Sequence, residues 1–160
     1  MSRIQFQHND LPYLVVFEAS AWTNIQNRVQ LLPWTPESGG QMFGKIDGWK
    51  IIVSEATGPH RKDVRSRTSF VFDVDSANAE IAERFKNGLH YLGDWHTHPE
   101  SSPQPSTQDR QNAGRMFKNA AGRPFFLMVI AGTSKSYVGL HNAKTFVRLS
   151  RLYRPRNRWL

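Results

Sequence analysis

Apolar and polar positions along the chain follow a pattern that predicts several short strands. Residues 125–131 are apolar at every position, which is typical of a central, fully buried strand. An Asp47-Gly48 dipeptide between two largely apolar segments predicts the turn of a β-hairpin. The predicted strands cover residues 14–17, 41–47, 49–57, 68–74, 89–96, 125–131, 137–140 and 145–152.

Helical signals appear in three other segments. Ser20 is suited to cap the first helix, and Pro33 is expected to stop it. Asn87-Gly88 ends the second helix, and Ser106 opens the third. The predicted helices cover residues 20–30, 75–87 (starting at Asp75 or Ser76) and 106–120. The whole pattern predicts an α/β or α+β fold in which three helices pack on a mixed sheet.

Composition sets the broad class of the protein. A chain of 160 residues with 39% hydrophobic residues is long enough for one folded domain. We therefore expect residues 1–160 to form a single domain with a basic C-terminal tail from about residue 148. No apolar run approaches about 18 residues, so neither a signal peptide nor a membrane span is expected. The absence of cysteine leaves His, Asp and Glu as metal ligands and suits the reducing cytoplasm.

The net charge of +8 is concentrated in two segments. Residues 60–67 contain four basic residues and one acid, residues 148–158 contain five arginines and no acid, and the remainder is neutral. Such segments suit an acidic protein surface or nucleic acid, and they equally suit solvated segments that keep a protein soluble. A neutral remainder lacks the broad basic face of a nucleic-acid binder, so nucleic acid is not the partner that this distribution favours.

The histidines of the His96-Thr97-His98-Pro99 segment are spaced for metal binding. Residues two apart on a strand point to the same face, so both imidazoles can reach one ion. Neutral imidazole is a good zinc ligand. Pro99 ends the strand directly afterwards, which places both rings at its exit. Taken alone, the pair is more typical of two surface histidines near a loop than of a metal site.

Ser106 and Asp109 follow at the start of the third predicted helix. A serine with an acid three residues later is a helix-capping pattern, and capping alone explains the pair. The same geometry also lets Asp109 turn toward the histidines as a third protein ligand. Ser106 would then lie where a hydroxyl can stabilise a developing oxyanion. Both roles can hold together for Ser106.

Glu37 is the candidate general base. Two His and one carboxylate leave the fourth position of a zinc ion open for water, which is typical of a catalytic site. Such a site still needs a group that takes and returns a proton. Glu37 precedes Ser38-Gly39-Gly40, where the glycines let the backbone approach a substrate closely. In isolation, an exposed loop glutamate before a flexible turn is the preferred interpretation.

Taken together, these residues match a known motif. Glu37, His96-Thr97-His98-Pro99, Ser106 and Asp109 resemble, in order and spacing, the JAMM motif of the JAB/MPN metallopeptidases. The Glu37-Ser38-Gly39-Gly40 segment also resembles the Glu-x-Gly-Gly segment of that family. The resemblance spans residues 17–149 and no motif position is substituted.

The resemblance implies a fold, a cofactor and a role for each motif residue. The fold would be a cytidine deaminase-like domain around a curved sheet. Zn²⁺ would be bound by His96, His98 and Asp109, with Glu37 holding the catalytic water and Ser106 stabilising the oxyanion. The implied reaction is hydrolysis of a peptide or isopeptide bond after the C-terminal glycine of a ubiquitin-like or similarly conjugated protein.

The chain also looks similar to short prokaryotic members encoded beside E1/E2-like conjugating enzymes, on the basis of Thr57-Gly58-Pro59 and Thr68-Ser69-Phe70. In CBASS anti-phage operons such a protein removes a cGAS-like nucleotidyltransferase from its targets. Gly39 and Gly40 are expected substrate contacts because glycine lets the backbone approach a substrate closely. Arg61 and Arg65 are expected to meet acidic groups on the conjugated protein, since the neighbouring region in this family can clamp a substrate tail by adding a strand to it. The alternatives are a peptidase that processes a ubiquitin-like or sulfur-carrier precursor, and a basic nucleic-acid-associated domain of the same type.

Overall fold

The computed structural model describes residues 3–119, 124–142 and 145–153. Within these residues the chain forms three helices and eleven strands. The helices are α1 Ala19–Gln26, α2 Val74–Lys86 and α3 Thr107–Asn119. The strands are β1 Ile4–Gln7, β2 Leu14–Phe17, β3 Gly39–Asp47, β4 Lys50–Ala56, β5 Val64–Ser66, β6 Ser69–Val71, β7 His90–Thr97, β8 Phe126–Ala131, β9 Ser136–His141, β10 Phe146–Arg148 and β11 Ser150–Leu152.

Nine of these strands form one mixed sheet. Its order is β10-β9-β8-β7-β3-β4-β2-β1-β11, and β5 pairs with β6 as a separate two-stranded hairpin. The β2–β4 and β7–β8 pairs are parallel, whereas the other pairs of the large sheet are antiparallel. The predicted combination of a mixed sheet with three helices is therefore confirmed.

The sheet is strongly curved, as its connectivity requires. Strands β10 and β11 lie at opposite ends of the strand order, yet only Leu149 separates them in the chain. Two successive peptide units reach at most about 7.6 Å, so the two edges of the sheet must come together there. Leu149 is buried, and its N–H donates to the carbonyl of Val138. The predicted strand 145–152 is therefore two strands on opposite edges.

Each face of the sheet carries its own apolar core. On one face, Trp22 and Ile25 of α1 pack with Leu92 and Trp95 of β7. On the other face, α2 and α3 cover the second cluster, which includes Ala113 of α3. Every residue of β8 is buried, because α1 and α3 lie on opposite sides of this strand. The prediction of a central strand at residues 125–131 is thus confirmed.

The first helix differs from its prediction at both ends. It begins after Glu18, no side chain caps it, and Ser20 lies inside its first turn. It ends at Gln26 instead of continuing to Gln30. The physical reason is that Gln30 is buried and its amide donates to the carbonyls of Thr35 and Arg67. These tertiary hydrogen bonds pull the chain away from the helix axis before any proline intervenes.

Two further boundaries also differ. The loop of the β3–β4 hairpin is Gly48-Trp49, one residue later than predicted, and Gly48 has a φ of +56°. Helix α2 begins earlier than predicted, because the carboxylate of Asp73 accepts from the backbone N–H of Ser76. Its predicted end at Asn87-Gly88 is confirmed. Strands β1 and β5 were not predicted at all.

Two predicted features reach beyond the described residues. Ala120, the predicted end of the third helix, and residues 154–160 of the basic tail lie outside them. Arg148 and Arg151, at the start of that tail, lie in strands and stack on Tyr137 and Tyr153. None of the helices in the described residues is long and apolar enough to cross a membrane.

Candidate metal centre

The exit of strand β7 and the first turn of α3 bring together His96, His98 and Asp109. The Nε2 atoms of His96 and His98 are 3.1 Å apart. Asp109 Oδ1 lies 3.3 Å from His96 Nε2, and Asp109 Oδ2 lies 3.5 Å from His98 Nε2. Among the described residues this is the one group of three or more potential ligands whose donor atoms all converge. The side chains selected from the sequence therefore do meet in the folded chain.

These distances fit the geometry of a tetrahedral metal site. Ligand atoms bound about 2.0–2.1 Å from zinc lie about 3.4 Å from one another at tetrahedral angles. The two imidazole nitrogens are 3.1 Å apart, and each lies 3.3 or 3.5 Å from a different oxygen of Asp109, which is close to that value. One donor atom from each of the three residues also lies within 4.8 Å of the other two. The donor set contains nitrogen and oxygen atoms only, which suits zinc and other divalent ions that accept imidazole and carboxylate. The residues present thus fit the metal that the motif implies.

Asp109 also caps the helix on which it lies. The backbone N–H of Ser106 donates to Asp109 Oδ2 at 2.8 Å, and the N–H of Asp109 donates to Ser106 Oγ at 3.1 Å. This reciprocal pair is a capping box, which satisfies two N–H groups at the helix start. The capping interpretation and the ligand interpretation therefore both describe Asp109, because a carboxylate oxygen can accept from more than one direction.

The protonation states in this cluster suit ligands. Burial and the neighbouring charge of His96 lower the pKa of His98, which keeps its imidazole neutral. Burial raises the pKa of Asp109, but its contacts with His96 and Ser106 outweigh burial and hold that pKa well below its usual range. His98 Nδ1 is buried, and the carboxylate of Glu100 lies 3.5 Å from it. Glu100 was not singled out from the sequence, because nothing in the motif's spacing marks it.

Glu37 is placed beside this cluster by strand pairing. Gly39 pairs with His96 across β3 and β7, and the N–H of Thr97 donates to the carbonyl of Ser38 at 2.8 Å. Continuing this antiparallel register puts Glu37 opposite His98. Only 5% of Glu37 is exposed. The alternative of an exposed loop glutamate is therefore wrong.

The pKa of Glu37 is shifted toward neutrality. Burial raises this pKa from 4.5 to about 7, the nearby charge of His96 lowers it, and the carboxylates of Asp109 and Glu100 raise it further. A carboxylate with a pKa near 7 can both accept and release a proton at neutral pH. A buried carboxylate with a strongly shifted pKa, next to convergent metal ligands, is typical of a functional site.

Thr97 positions this region, although it was not among the predicted site residues. It is fully buried on the face of β7 opposite the two histidines. Its Oγ1 accepts from the N–H of Ser38 at 2.9 Å and donates to Oε1 of Gln30 at 2.9 Å. The position of Thr97 between two ligands was the only available signal, and no sequence signal marks Gln30.

The two glycines after Ser38 are required by packing within the chain. A Cβ on Gly39 would lie 2.8 Å from the ring of Phe70, and one on Gly40 would lie 1.6 Å from the carbonyl oxygen of Thr57. Both glycines are buried. The space that a side chain would need is thus filled by the protein itself, and a substrate contact at these positions stays a prediction.

The other predicted substrate contacts differ in their surroundings. Arg61 is exposed in the loop before β5. Arg65 is exposed as well, and it donates to the carbonyl of Glu37 and to the hydroxyl of Ser38. Met42 is fully buried in the core, whereas 74% of Trp34 is exposed.

Comparison with known proteins identifies the family of this chain. Residues 27–149 match the family model described as prokaryotic homologues of the JAB domain. The chain belongs to this prokaryotic JAB family. A relative from Vibrio cholerae, named CD-NTase/cGAS isopeptidase, is 33% identical over 129 residues, which are 79% of this chain and 81% of the relative. A relative with the same name from Pseudomonas aeruginosa is 30% identical and covers 79% of this chain and 82% of its own.

A solved structure shows a similar fold for the prokaryotic JAB chain. The solution structure of protein DSY2949 from Desulfitobacterium hafniense superimposes with a TM-score of 0.61 and 21% sequence identity. The match covers 84% of this chain and 88% of that protein. The JAB-type α+β fold expected from the motif is thus confirmed.

Proposed function

We propose that this protein is a zinc-dependent isopeptidase. The proposal is supported chiefly by the convergence of His96, His98 and Asp109, each of which offers one donor atom within 4.8 Å of the other two. Glu37, with its pKa raised to about 7, lies next to them as the proton acceptor. When bound, zinc would supply an acidified water and would polarise the scissile carbonyl. The absence of cysteine supports a cytoplasmic location.

The substrate that we propose is a conjugated CD-NTase, a cGAS-like nucleotidyltransferase. Both relatives are named CD-NTase/cGAS isopeptidase, and the match covers most of the length of each relative. The bond cleaved would follow the C-terminal glycine of the CD-NTase. E1/E2-like proteins would attach this glycine to a target in a CBASS system. Trp34 is exposed in the segment before Glu37, and Arg61 is exposed in the segment before β5. These exposed side chains could hold a protein substrate near the site.

The roles of the chain's own groups follow from their surroundings. Glu37 would accept the proton of the attacking water and transfer it to the leaving lysine amine. Ser106 Oγ already accepts a hydrogen bond from the N–H of Asp109, so its hydroxyl proton remains available for the substrate. That proton would be donated to the oxygen that becomes negative during attack on the carbonyl.

A defined conjugate tests the proposed reaction. A CD-NTase linked through its C-terminal glycine to a lysine of a carrier protein should be hydrolysed to release both proteins intact, as measured by mass spectrometry. The same conjugate with alanine in place of the terminal glycine should react at least about tenfold more slowly, because one added methyl group costs about 1–3 kcal/mol in a tight site. Cleavage of a linear precursor but not of the conjugate would favour the precursor-processing alternative. No cleavage by zinc-loaded protein would refute the proposal.

Ser106→Ala should separate oxyanion stabilisation from metal binding. We expect kcat to fall about 10²- to 10³-fold, since one hydrogen-bond donor to the oxyanion is lost. Metal content should stay at the wild-type value, because Asp109 keeps its contacts with both histidines. Loss of the cap on α3 should lower the free energy of unfolding by about 1 kcal/mol. A variant that loses stability but keeps kcat would show that Ser106 is only a cap.

A further inference from the structure

The backbone of Glu37 and Ser38 is held from two sides. The N–H of Glu37 donates to the carbonyl of Ser66 at 2.8 Å, and Arg65 Nε donates to the carbonyl of Glu37 at 2.6 Å. Ser38 instead exchanges two hydrogen bonds with Thr97, through its N–H and its carbonyl. All four backbone polar groups are thus satisfied within the chain.

The contacts with Glu37 come from the hairpin strand β5, whereas the contacts with Ser38 come from the central strand β7. Thr97 lies between the proposed ligands on β7, which is a central strand of the large sheet. Arg65 and Ser66 lie on β5, whose only strand partner in the described residues is β6. An isolated two-stranded hairpin is marginally stable, so it needs contacts outside itself to keep its position. The hydrogen bonds to Glu37 are among those contacts, together with the packing of Phe70 on Gly39.

Arg65 makes the side-chain link between the hairpin and the proposed base. Its Nε binds Glu37, and its Nη2 donates to Ser38 Oγ at 2.8 Å. A guanidinium presents these donors in a fixed planar fork, so two acceptors on adjacent residues are held in one orientation. A lysine would keep the charge but could not reproduce this geometry.

We propose that Arg65 is a positioning residue that fixes the backbone of Glu37, and with it the direction of the catalytic carboxylate. The inference rests on the proposed function. It gives Arg65 the role of positioning Glu37 instead of the role of contacting the substrate. Because the two donors of Arg65 bind the chain itself, its removal should disorder the base without removing a substrate contact. A misplacement of about 1 Å at a reacting group can cost about 10²-fold in rate.

The test compares Arg65→Ala, Arg65→Lys and Arg67→Ala on the defined conjugate. Arg65→Ala should lower kcat about 10- to 100-fold, with KM within about twofold of wild type and unchanged metal content. Arg65→Lys should recover only part of the loss, because its single ammonium nitrogen keeps the charge but not the planar pair of donor nitrogens. Arg67→Ala removes a charge from the residue after β5 and leaves its backbone carbonyl, which accepts from Gln30. This variant should keep the wild-type kcat.

Amide hydrogen exchange gives a second readout that does not depend on activity. Exchange at Glu37 and Ser38 should become faster in Arg65→Ala and stay unchanged in Arg67→Ala. A rise in KM with unchanged kcat and unchanged exchange would overturn the inference and return Arg65 to substrate binding. If the wild-type protein fails to cleave the conjugate, the proposed function fails, while the exchange data still decide whether Arg65 positions Glu37.

Discussion

Glu37→Gln is expected to lower kcat/KM about 10²- to 10⁴-fold while the protein keeps its bound metal. Glutamine has nearly the same shape as glutamate, so the backbone contacts of residue 37 with Ser66 and Arg65 should survive. An amide cannot accept the proton of a water molecule and return it to a leaving amine. The loss therefore falls on the chemical step, and metal analysis should give the wild-type content because Glu37 is not among the converging ligands.

The pH dependence of the wild-type enzyme should report the same group. A base must be deprotonated to act, so kcat/KM should fall as the pH drops through the pKa of Glu37. Burial raises that pKa to about 7 in the metal-free chain, and a bound dication would lower it. We therefore expect the acidic limb of the profile between the ordinary value of 4.5 and about 7. Glu37→Gln should lack this limb.

The same substitution should stabilise the metal-free protein at high pH. A carboxyl with a raised pKa in the folded state binds its proton more tightly there than in the unfolded state. The free energy of unfolding consequently decreases as the pH rises from 4.5 to about 7, by roughly 3 kcal/mol for a shift of this size. Glu37→Gln removes that penalty, so its Tm should exceed that of wild type at pH 8 and match it at pH 4.

A matched control separates the base from a general effect of charge. Glu83 is an exposed residue of α2, and Glu83→Gln should leave both kcat/KM and the pH profile unchanged. If Glu37→Gln retains wild-type activity, the base has been misassigned. If it loses its metal, Glu37 contributes to binding, and the geometry of the three ligands is incomplete.

The ligand set could be predicted because its signals are local. The period of two along a strand places His96 and His98 on one face, and the helix start fixes where Asp109 points. The structure adds that capping and the proposed ligation use the same carboxylate, so the two interpretations did not compete. For Glu37 the sequence supplied only the motif. Its burial depends on the pairing of β3 with β7, which is a long-range contact.

The surroundings of the base could not be predicted for the same reason. Gln30, Arg65 and Thr97 meet around Glu37 and Ser38 from segments that are far apart in the chain. The hairpin strand β5 has three exposed residues and no alternation of buried and exposed positions, so it gave no signal of a strand. The curvature of the sheet also escaped the residue pattern, because it depends on the break at Leu149 between two opposite edges. Of these features, only the curvature was implied by the family resemblance.

Asp109→Asn is expected to weaken zinc binding by more than about 100-fold. Losing a residue that only supports a ligand typically costs about 10- to 100-fold in metal affinity, and the loss of a ligand itself should cost more. Asparagine keeps an oxygen that can accept from the N–H of Ser106, so the cap of α3 should be preserved. It lacks the negative charge that balances the cation between His96 and His98. The variant should therefore fold as wild type does in the absence of metal and should fail to hold zinc.

Thermal unfolding with and without zinc measures this difference directly. A ligand present at about 100 times its Kd stabilises a protein by about 2.7 kcal/mol, which for a chain of 160 residues corresponds to about 5–10 °C in Tm. Wild type and Asp75→Asn, which changes an acid in the first turn of α2, should both show this rise. Asp109→Asn should not. An equal rise in Asp109→Asn would mean that the third ligand lies elsewhere, with Glu100 beside His98 as the nearest carboxylate to examine.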